Sequence, residues 1–109
     1  MTESQIQAAI VQALQAMGVM FFSVPNEGHG GNTRRAMHMK FLGQMNGVSD
    51  LVVVLTSRVI FLEVKTAKGR QSKSQKDFEQ RVTMRGHEYH VVRSVDDVIG
   101  VLDKTGRVR

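Results

Sequence analysis

Residues 47–65 read Gly-Val-Ser-Asp-Leu-Val-Val-Val-Leu-Thr-Ser-Arg-Val-Ile-Phe-Leu-Glu-Val-Lys, which contains two short apolar runs joined by a polar turn. The first run, Leu51–Leu55, is continuously apolar, as is typical of a strand buried on both faces. The second strand, Val59–Thr66, begins after only three residues, and so short a connection predicts an antiparallel hairpin. The segment therefore predicts a β-sheet in the core of the fold.

Three charged residues stand at the ends of these strands. Glu63 and Lys65 lie two apart, so their side chains project from the same face of the second strand, and Asp50 stands at the start of the first. Glu and Lys are rarely buried unless they are paired, so something must compensate their charges. One interpretation is that Glu63 and Lys65 pair with each other or reach solvent at the strand end. The other is that Asp50 and Glu63 share a divalent cation beside Lys65.

The second interpretation describes a coherent chemistry. Mg²⁺ prefers carboxylate and carbonyl oxygens and keeps several waters, and Asp50, Glu63 and the Val64 backbone carbonyl would supply such ligands. The metal and Lys65 would offset the charge that builds up on a phosphodiester during hydrolysis. Whether Lys65 orients or deprotonates the water, or only stabilises the transition state, stays open at this point.

The rest of the chain alternates helical and extended patterns. Capping boxes at Thr2 and Ser72 predict helix starts, and Ser94 caps a last helix. The resulting order is α-β-α-β-β-α-β-α, an α/β fold with a mixed central sheet flanked by helices. The predicted helices cover about 2–17, 33–42, 72–85 and 94–102, and the predicted strands cover 19–24, 51–55, 59–66 and 88–93. Between them, Gly28–Gly31 is a candidate loop that closes on DNA, and the tail Thr105–Arg109 is predicted to be frayed.

Length and composition exclude several classes of protein. The chain has 109 residues, of which 41% are apolar, so it suits one domain over 1–109 with a single core. The absence of cysteine excludes a disulfide scaffold, a cysteine-ligated zinc site and thiol catalysis. No run approaches the roughly 18 apolar residues that a membrane span needs. We therefore expect a soluble, cytoplasmic protein with no membrane partner.

Basic residues are concentrated in two places. Residues 65–85 carry seven Lys and Arg against two acids, and 34–40 carry three against none. Such clusters favour nucleic acid as the partner, although they also occur on solvated helix faces. The candidate phosphate contacts are Arg34, Arg35, Lys40, Lys68, Arg70, Lys73 and Lys76.

These motifs together resemble a known family. Gly47-Val-Ser-Asp50, then Phe61-Leu-Glu-Val-Lys65, then Gln75 on the next helix is similar to the PD-(D/E)XK nuclease superfamily. More narrowly, residues 3–102 resemble the stand-alone, phage-type VRR-NUC domain. The resemblance implies a restriction-endonuclease-like fold in which Asp50 and Glu63 bind the metal, Lys65 is the catalytic lysine and Gln75 is a further active-site residue. Ser49 replaces the family's usual proline, which mainly shapes the backbone, so we expect Asp50 to keep its position.

Two further residues have alternative interpretations. Gln75 shares a helix face with Phe78 and so points toward the core, but it is also the third residue of the Ser72 capping box. Glu3 lies on the inward face of the first helix, where related nucleases often place an acid at the metal site. An acid in a first helical turn is also favoured by the helix dipole alone.

The resemblance implies a metal-dependent DNA endonuclease that uses Mg²⁺ or Mn²⁺. Stand-alone members of the family act as homodimers on branched DNA such as Holliday junctions, in the host cell interior where a phage encodes them. The alternative is a non-catalytic, basic DNA-binding module with a degenerate nuclease fold. Ser49 favours that alternative, whereas the intact set of Asp50, Glu63 and Lys65 disfavours it.

Overall fold

The computed structural model describes residues 1–25 and 34–103. Within these ranges the elements follow the predicted order. The helices are α1 (Glu3–Met17), α2 (Arg34–Phe41), α3 (Lys73–Thr83) and α4 (Val95–Leu102), and the strands are β1 (Met20–Ser23), β2 (Leu51–Val54), β3 (Val59–Val64) and β4 (Glu88–Val92). The predictions for Gly28–Gly31 and Thr105–Arg109 lie outside the described residues.

The strands form a mixed sheet in the order β1-β2-β3-β4. β1 pairs with β2 and β2 with β3 in antiparallel fashion, which confirms the predicted hairpin, while β3 and β4 are parallel. Because parallel neighbours need a crossover connection, α3 lies in the segment between β3 and β4. The carboxyl ends of β3 and β4 therefore meet at one edge of the sheet.

The two faces of the sheet pack against different helices. The main core joins α1, α4 and one face of the sheet, to which β3 contributes Ile60, Leu62 and Val64. The alternate residue Phe61 instead packs edge-on against Phe78 of α3, with ring centroids 5.4 Å apart. Because side chains alternate along a strand, Glu63 shares the α3 face with Phe61. This alternation places the charged end of β3 beneath α3.

Helix α1 begins and ends as its sequence predicts. Thr2 and Gln5 form the complete capping box, and Gly18 closes the helix with φ of 71°. Ile6, Ile10 and Leu14 are buried against the sheet, so the first turn of α1 is held near the sheet edge. Among the described residues no helix is long and apolar enough to cross a membrane.

Candidate functional site

Asp50 and Glu63 lie next to each other on neighbouring strands. In the β2–β3 register Leu51 faces Leu62, so continuing the pairing by one residue places Asp50 opposite Glu63. Residues directly opposite in an antiparallel pair project from the same face. The Oδ2 of Asp50 accepts a hydrogen bond of 2.8 Å from the backbone N–H of Val64, which fixes this carboxylate against the end of β3.

Glu63 is a buried carboxyl group with incomplete hydrogen bonding. Its residue is only 1% exposed, and its Oε1 has no hydrogen-bond partner among the described residues. Burial raises the pKa of Glu63 to about 8, and the neighbouring carboxyl group of Asp50 contributes to this increase, while Lys65 opposes it. An unpaired polar atom in this position costs stability unless a cation or proton binds there.

Lys65 lies in the same buried cluster. Its Nζ is 3.7 Å from Oε2 of Glu63 and 3.9 Å from Oε2 of Glu3, and its side chain is 9% exposed. These distances are too long for hydrogen bonds but short enough for strong charge attraction. Lys65 and Glu63 therefore form an ion pair with each other, and because both are buried, neither reaches solvent at the strand end. They lie side by side, and the half-exposed Glu3 stands at the edge of the cluster.

The side chain of Gln75 makes two contacts that connect α3 to the site. Its Oε1 accepts a hydrogen bond of 2.8 Å from the Ser72 backbone N–H, completing the capping box. Its Nε2 donates a hydrogen bond of 2.9 Å to Oε2 of Glu63. The capping box is therefore confirmed, and the side chain points inward to Glu63, while an active-site role of Gln75 stays a prediction.

The loop before Asp50 is packed tightly against α3. Gly47 has φ of +79°, and a Cβ at this position would lie 2.2 Å from the carbonyl oxygen of Ser74. Ser49 is fully buried, and its Oγ donates a 3.2 Å hydrogen bond to the carbonyl of Leu51. The sequence showed a turn here, but it did not reveal that Gly47 touches the helix that carries Gln75.

Arg93 also positions part of the site, and the sequence did not indicate this role. Its Nη1 donates to the carbonyl oxygens of Thr66 at 2.6 Å and Gly69 at 2.8 Å. These bonds fix the turn that follows Lys65. A single arginine after a strand carries no sequence signal for such a role, because the carbonyls that it meets are 24 and 27 residues away in the chain.

The predicted nucleic-acid contacts lie on the surface. All of them are exposed, on α2, on the turn after β3 and on the first turns of α3: Arg34, Arg35, Lys40, Lys68, Arg70, Lys73 and Lys76. Lys73 makes an ion pair of 3.4 Å with Asp77, but its side chain is 91% exposed, so the pair contributes little. The cations are therefore accessible to a polyanion.

The donor set around Glu63 fits a hard divalent cation. In residues 1–25 and 34–103 no group of three or more His, Cys, Asp or Glu is arranged as a ready-made metal site. Mg²⁺ commonly binds through one or two carboxylates and completes its shell with water and substrate phosphate, so Asp50 and Glu63 suffice. The unpartnered Oε1 of Glu63 supplies the free oxygen that such an ion requires.

A mixed sheet flanked by helices, with two carboxyl groups and a lysine gathered at its edge, defines a restriction-endonuclease-like α/β protein of the nuclease type. The family model of the VRR-NUC domain matches residues 1–96, and the chain belongs to this family.

Solved structures share this fold. One, described as a VRR_NUC domain protein, superposes with a TM-score of 0.79 at 18% identity, covering 95% of this chain and 87% of its own. Another, described as a VRR_NUC domain, superposes with a TM-score of 0.65 at 21% identity, covering 96% and 97%. No functionally curated protein shows significant sequence similarity to the chain.

Proposed function

We propose that this protein is a Mg²⁺- or Mn²⁺-dependent endonuclease that hydrolyses phosphodiester bonds in DNA. The observation that carries the proposal is the buried Glu63 carboxyl group. Within the described residues, Oε1 of Glu63 lacks a hydrogen-bond partner. The pKa of the group is raised to about 8, and the group lies beside Asp50 and Lys65. In a purely structural cluster, this oxygen would accept a hydrogen bond from another group of the protein.

Each residue of the cluster has a separate role in the proposed mechanism. Asp50 and Glu63 would hold the metal with the Val64 carbonyl, and Glu3 is a further candidate ligand at the edge. A divalent ion, when bound, polarises the scissile phosphate and lowers the pKa of a nucleophilic water. Gln75 orients the Glu63 carboxylate through its 2.9 Å hydrogen bond. Lys65 places a positive charge where the phosphate oxygens become more negative.

We further propose that the substrate is branched DNA, such as a Holliday junction, and that two copies act together. The exposed cations contact phosphates whatever the base sequence, so they provide affinity without sequence specificity. A homodimer would place two such sites on one junction and so make two nicks. A cytoplasmic location is part of the same proposal.

The direct test is cleavage of labelled four-way junction, flap, linear duplex and single-stranded DNA, each with Mg²⁺, Mn²⁺ or EDTA. We expect metal-dependent cutting of the branched substrates that falls at least 100-fold in Asp50→Ala and in Lys65→Ala, since both remove charge stabilisation in the transition state. Asp77→Ala is the matched control, because it removes an exposed acid of α3 outside the cluster.

Each part of the proposal has its own contrary result. Tight DNA binding without cutting in either metal would leave the non-catalytic DNA-binding module. Equal cutting of linear duplex and junction would contradict the proposal that the substrate is branched DNA. Sedimentation as a monomer, both free and on DNA, would remove the homodimer and leave the nuclease intact.

A further inference from the structure

Helix α2 exposes large apolar side chains that no part of residues 1–25 and 34–103 covers. Phe41 is 85% exposed, Met37 is 62% exposed, and Leu42, directly after the helix, is 63% exposed. Arg34, Met37 and Phe41 recur at helical spacing and share one side, which we call the α2 outer face, while Ala36 is buried on the other side. Adjacent exposed apolar side chains of this size mark an interaction surface.

The charge around this face indicates its partner. Residues 34–49 contain Arg34, Arg35 and Lys40 and no acidic residue. Two copies meeting through this face would bring like charges together, which opposes self-association. A helix that lies on a membrane separates its apolar face from its basic face, whereas Arg34 shares the α2 outer face with Met37 and Phe41. Basic and apolar groups on one face suit a polyanion that also offers flat apolar surfaces, namely DNA with unstacked bases.

The position of the face connects it to the cluster of Asp50 and Glu63. Only five peptide units separate Leu42 from Gly47, which touches Ser74 at the start of α3. A chain of that length spans at most about 18 Å. This is less than one turn of duplex DNA, about 34 Å. One DNA substrate can therefore contact both the α2 outer face and the cluster.

From these observations, and resting on the proposed nuclease function, we infer that the α2 outer face packs against unstacked bases exposed at the branch point of the DNA. Phe41 supplies a stacking platform, and Met37 packs beside it against the opened base step. Arg34 and Lys40 contact the adjacent phosphates. Proteins that kink or open DNA insert Phe, Leu or Met between bases in this way. The inference narrows the substrate to DNA that carries unstacked bases beside a duplex.

The test measures binding without cleavage, using the full chain in EDTA. The probes are a forked DNA with 2-aminopurine at the branch and a linear duplex of equal length, followed by anisotropy and by 2-aminopurine fluorescence. We expect Phe41→Ala to weaken binding to the fork about tenfold, as the loss of one base–aromatic stack does, and to change duplex binding less than about twofold. Phe41→Tyr, which keeps the ring, should bind like the parent protein. Met84→Ala is the control, because Met84 is 74% exposed at the far end of α3.

Three other results would overturn the inference. One is equal binding of fork and duplex by Phe41→Ala and the parent. Another is a shift from dimer to monomer in Phe41→Ala but not in Phe41→Tyr, which would make the face a self-association surface. The third is binding to vesicles of phosphatidylserine and phosphatidylcholine that Phe41→Ala abolishes. Cleavage that depends on Asp50 while Phe41→Ala binds normally would retain the nuclease and reject only the α2 contact. No cleavage at all, with fork binding that depends on Phe41, would reject the nuclease function and retain the α2 contact with DNA.

Discussion

The two ends of β3 each carry a cluster of charged side chains, and the clusters differ in how completely they are satisfied. At the start, Arg58 donates to both carboxylate oxygens of Glu88, at 2.6 and 2.7 Å, and to the carbonyls of Val101 and Leu102. At the other end, Glu63 keeps an unpartnered oxygen. The first cluster lowers the pKa of Glu88 through the Arg58 hydrogen bonds, whereas burial raises that of Glu63. The contrast separates a charged pair that the protein satisfies by itself from a buried carboxyl group that the described residues leave partly unsatisfied.

Glu63→Gln is the strongest test of this difference between the two clusters. Because the proposed mechanism makes Glu63 a metal ligand, this change should lower cleavage at least 1,000-fold, measured as single-turnover rates on junction DNA. The same change should raise the free energy of unfolding of the metal-free protein by about 1 kcal/mol or more at pH 7. The folded parent must keep the buried Glu63 carboxyl group protonated at a pH above its ordinary pKa, whereas glutamine is neutral in both states. Urea denaturation in EDTA measures this gain. A loss of stability in Glu63→Gln would mean that Glu63 is a structural partner of Lys65.

Glu63→Gln also tests the metal without reference to activity. Mn²⁺ should raise the melting temperature of the parent protein and leave that of Glu63→Gln unchanged, because a ligand that binds only the folded state stabilises it. Asp77→Ala, which alters an exposed acid, should respond to Mn²⁺ like the parent. An equal response in all three proteins would place the metal elsewhere.

Gly47→Ala tests whether the contact with α3 positions the site. The added Cβ would meet the Ser74 carbonyl at 2.2 Å on a backbone with φ of +79°, so α3 must move. We expect a loss of roughly 2–4 kcal/mol in the free energy of unfolding and at least tenfold in cleavage by the folded fraction. Gly86→Ala is the matched control, since Gly86 has φ of +87° but no atom within 4 Å of an added Cβ. That variant should lose only about 1 kcal/mol, with unchanged cleavage. Equal effects would show that conformation alone, not the contact, is important at Gly47.

The sequence predicted the local parts of this architecture. The apolar run of β2 and the short turn predicted the hairpin, and the two-residue spacing of Glu63 and Lys65 placed them on one face. The capping box predicted the contact of Gln75 with Ser72, and the helix face predicted that its side chain points inward, where the structure shows that it contacts Glu63. Each of these inferences depends on residues within one strand, one helix or one turn, where spacing fixes direction.

The contacts between distant segments could not be predicted in this way. Arg58 meets Glu88, and Arg93 meets Thr66, only because β4 pairs in parallel with β3 after the α3 crossover. Likewise, the close approach of Gly47 to Ser74 depends on how α3 packs over the sheet. How deeply Glu63 is buried follows from the same packing. Sequence spacing carries no information about these tertiary distances, so the raised pKa of Glu63 was not foreseen.

Arg58→Met tests the cluster of Arg58 and Glu88 at the start of β3, because it keeps the aliphatic stem and removes the charge. Glu88 and the carbonyls of α4 would lose their donors, and hydrogen bonds to charged groups contribute about 1.5–3 kcal/mol. We therefore expect a loss of about 2 kcal/mol in the free energy of unfolding, measured in urea, with cleavage by the folded protein unchanged. Lys73→Met, which removes the exposed pair with Asp77, should change stability by less than about 0.5 kcal/mol. Reduced cleavage at full stability in Arg58→Met would mean that the two clusters are coupled.

The smallest expected effect is the pH dependence of the Arg58–Glu88 pair. Because Arg58 lowers the pKa of Glu88 below its ordinary value of 4.5, the pair contributes its full stability above that value and loses it as the pH falls through the lowered pKa. The Glu88 side chain is 32% exposed, so solvent screening keeps the contribution below about 1 kcal/mol. Urea denaturation should therefore show the parent to be more stable than Glu88→Gln at pH 7, with a difference that shrinks as the pH falls below 4.5. Glu63 has the opposite sign, since a raised pKa weakens the metal-free protein as the pH rises toward 8. If Glu88→Gln were instead more stable than the parent at pH 7, with the gap closing in acid, the pKa of Glu88 would be raised like that of Glu63.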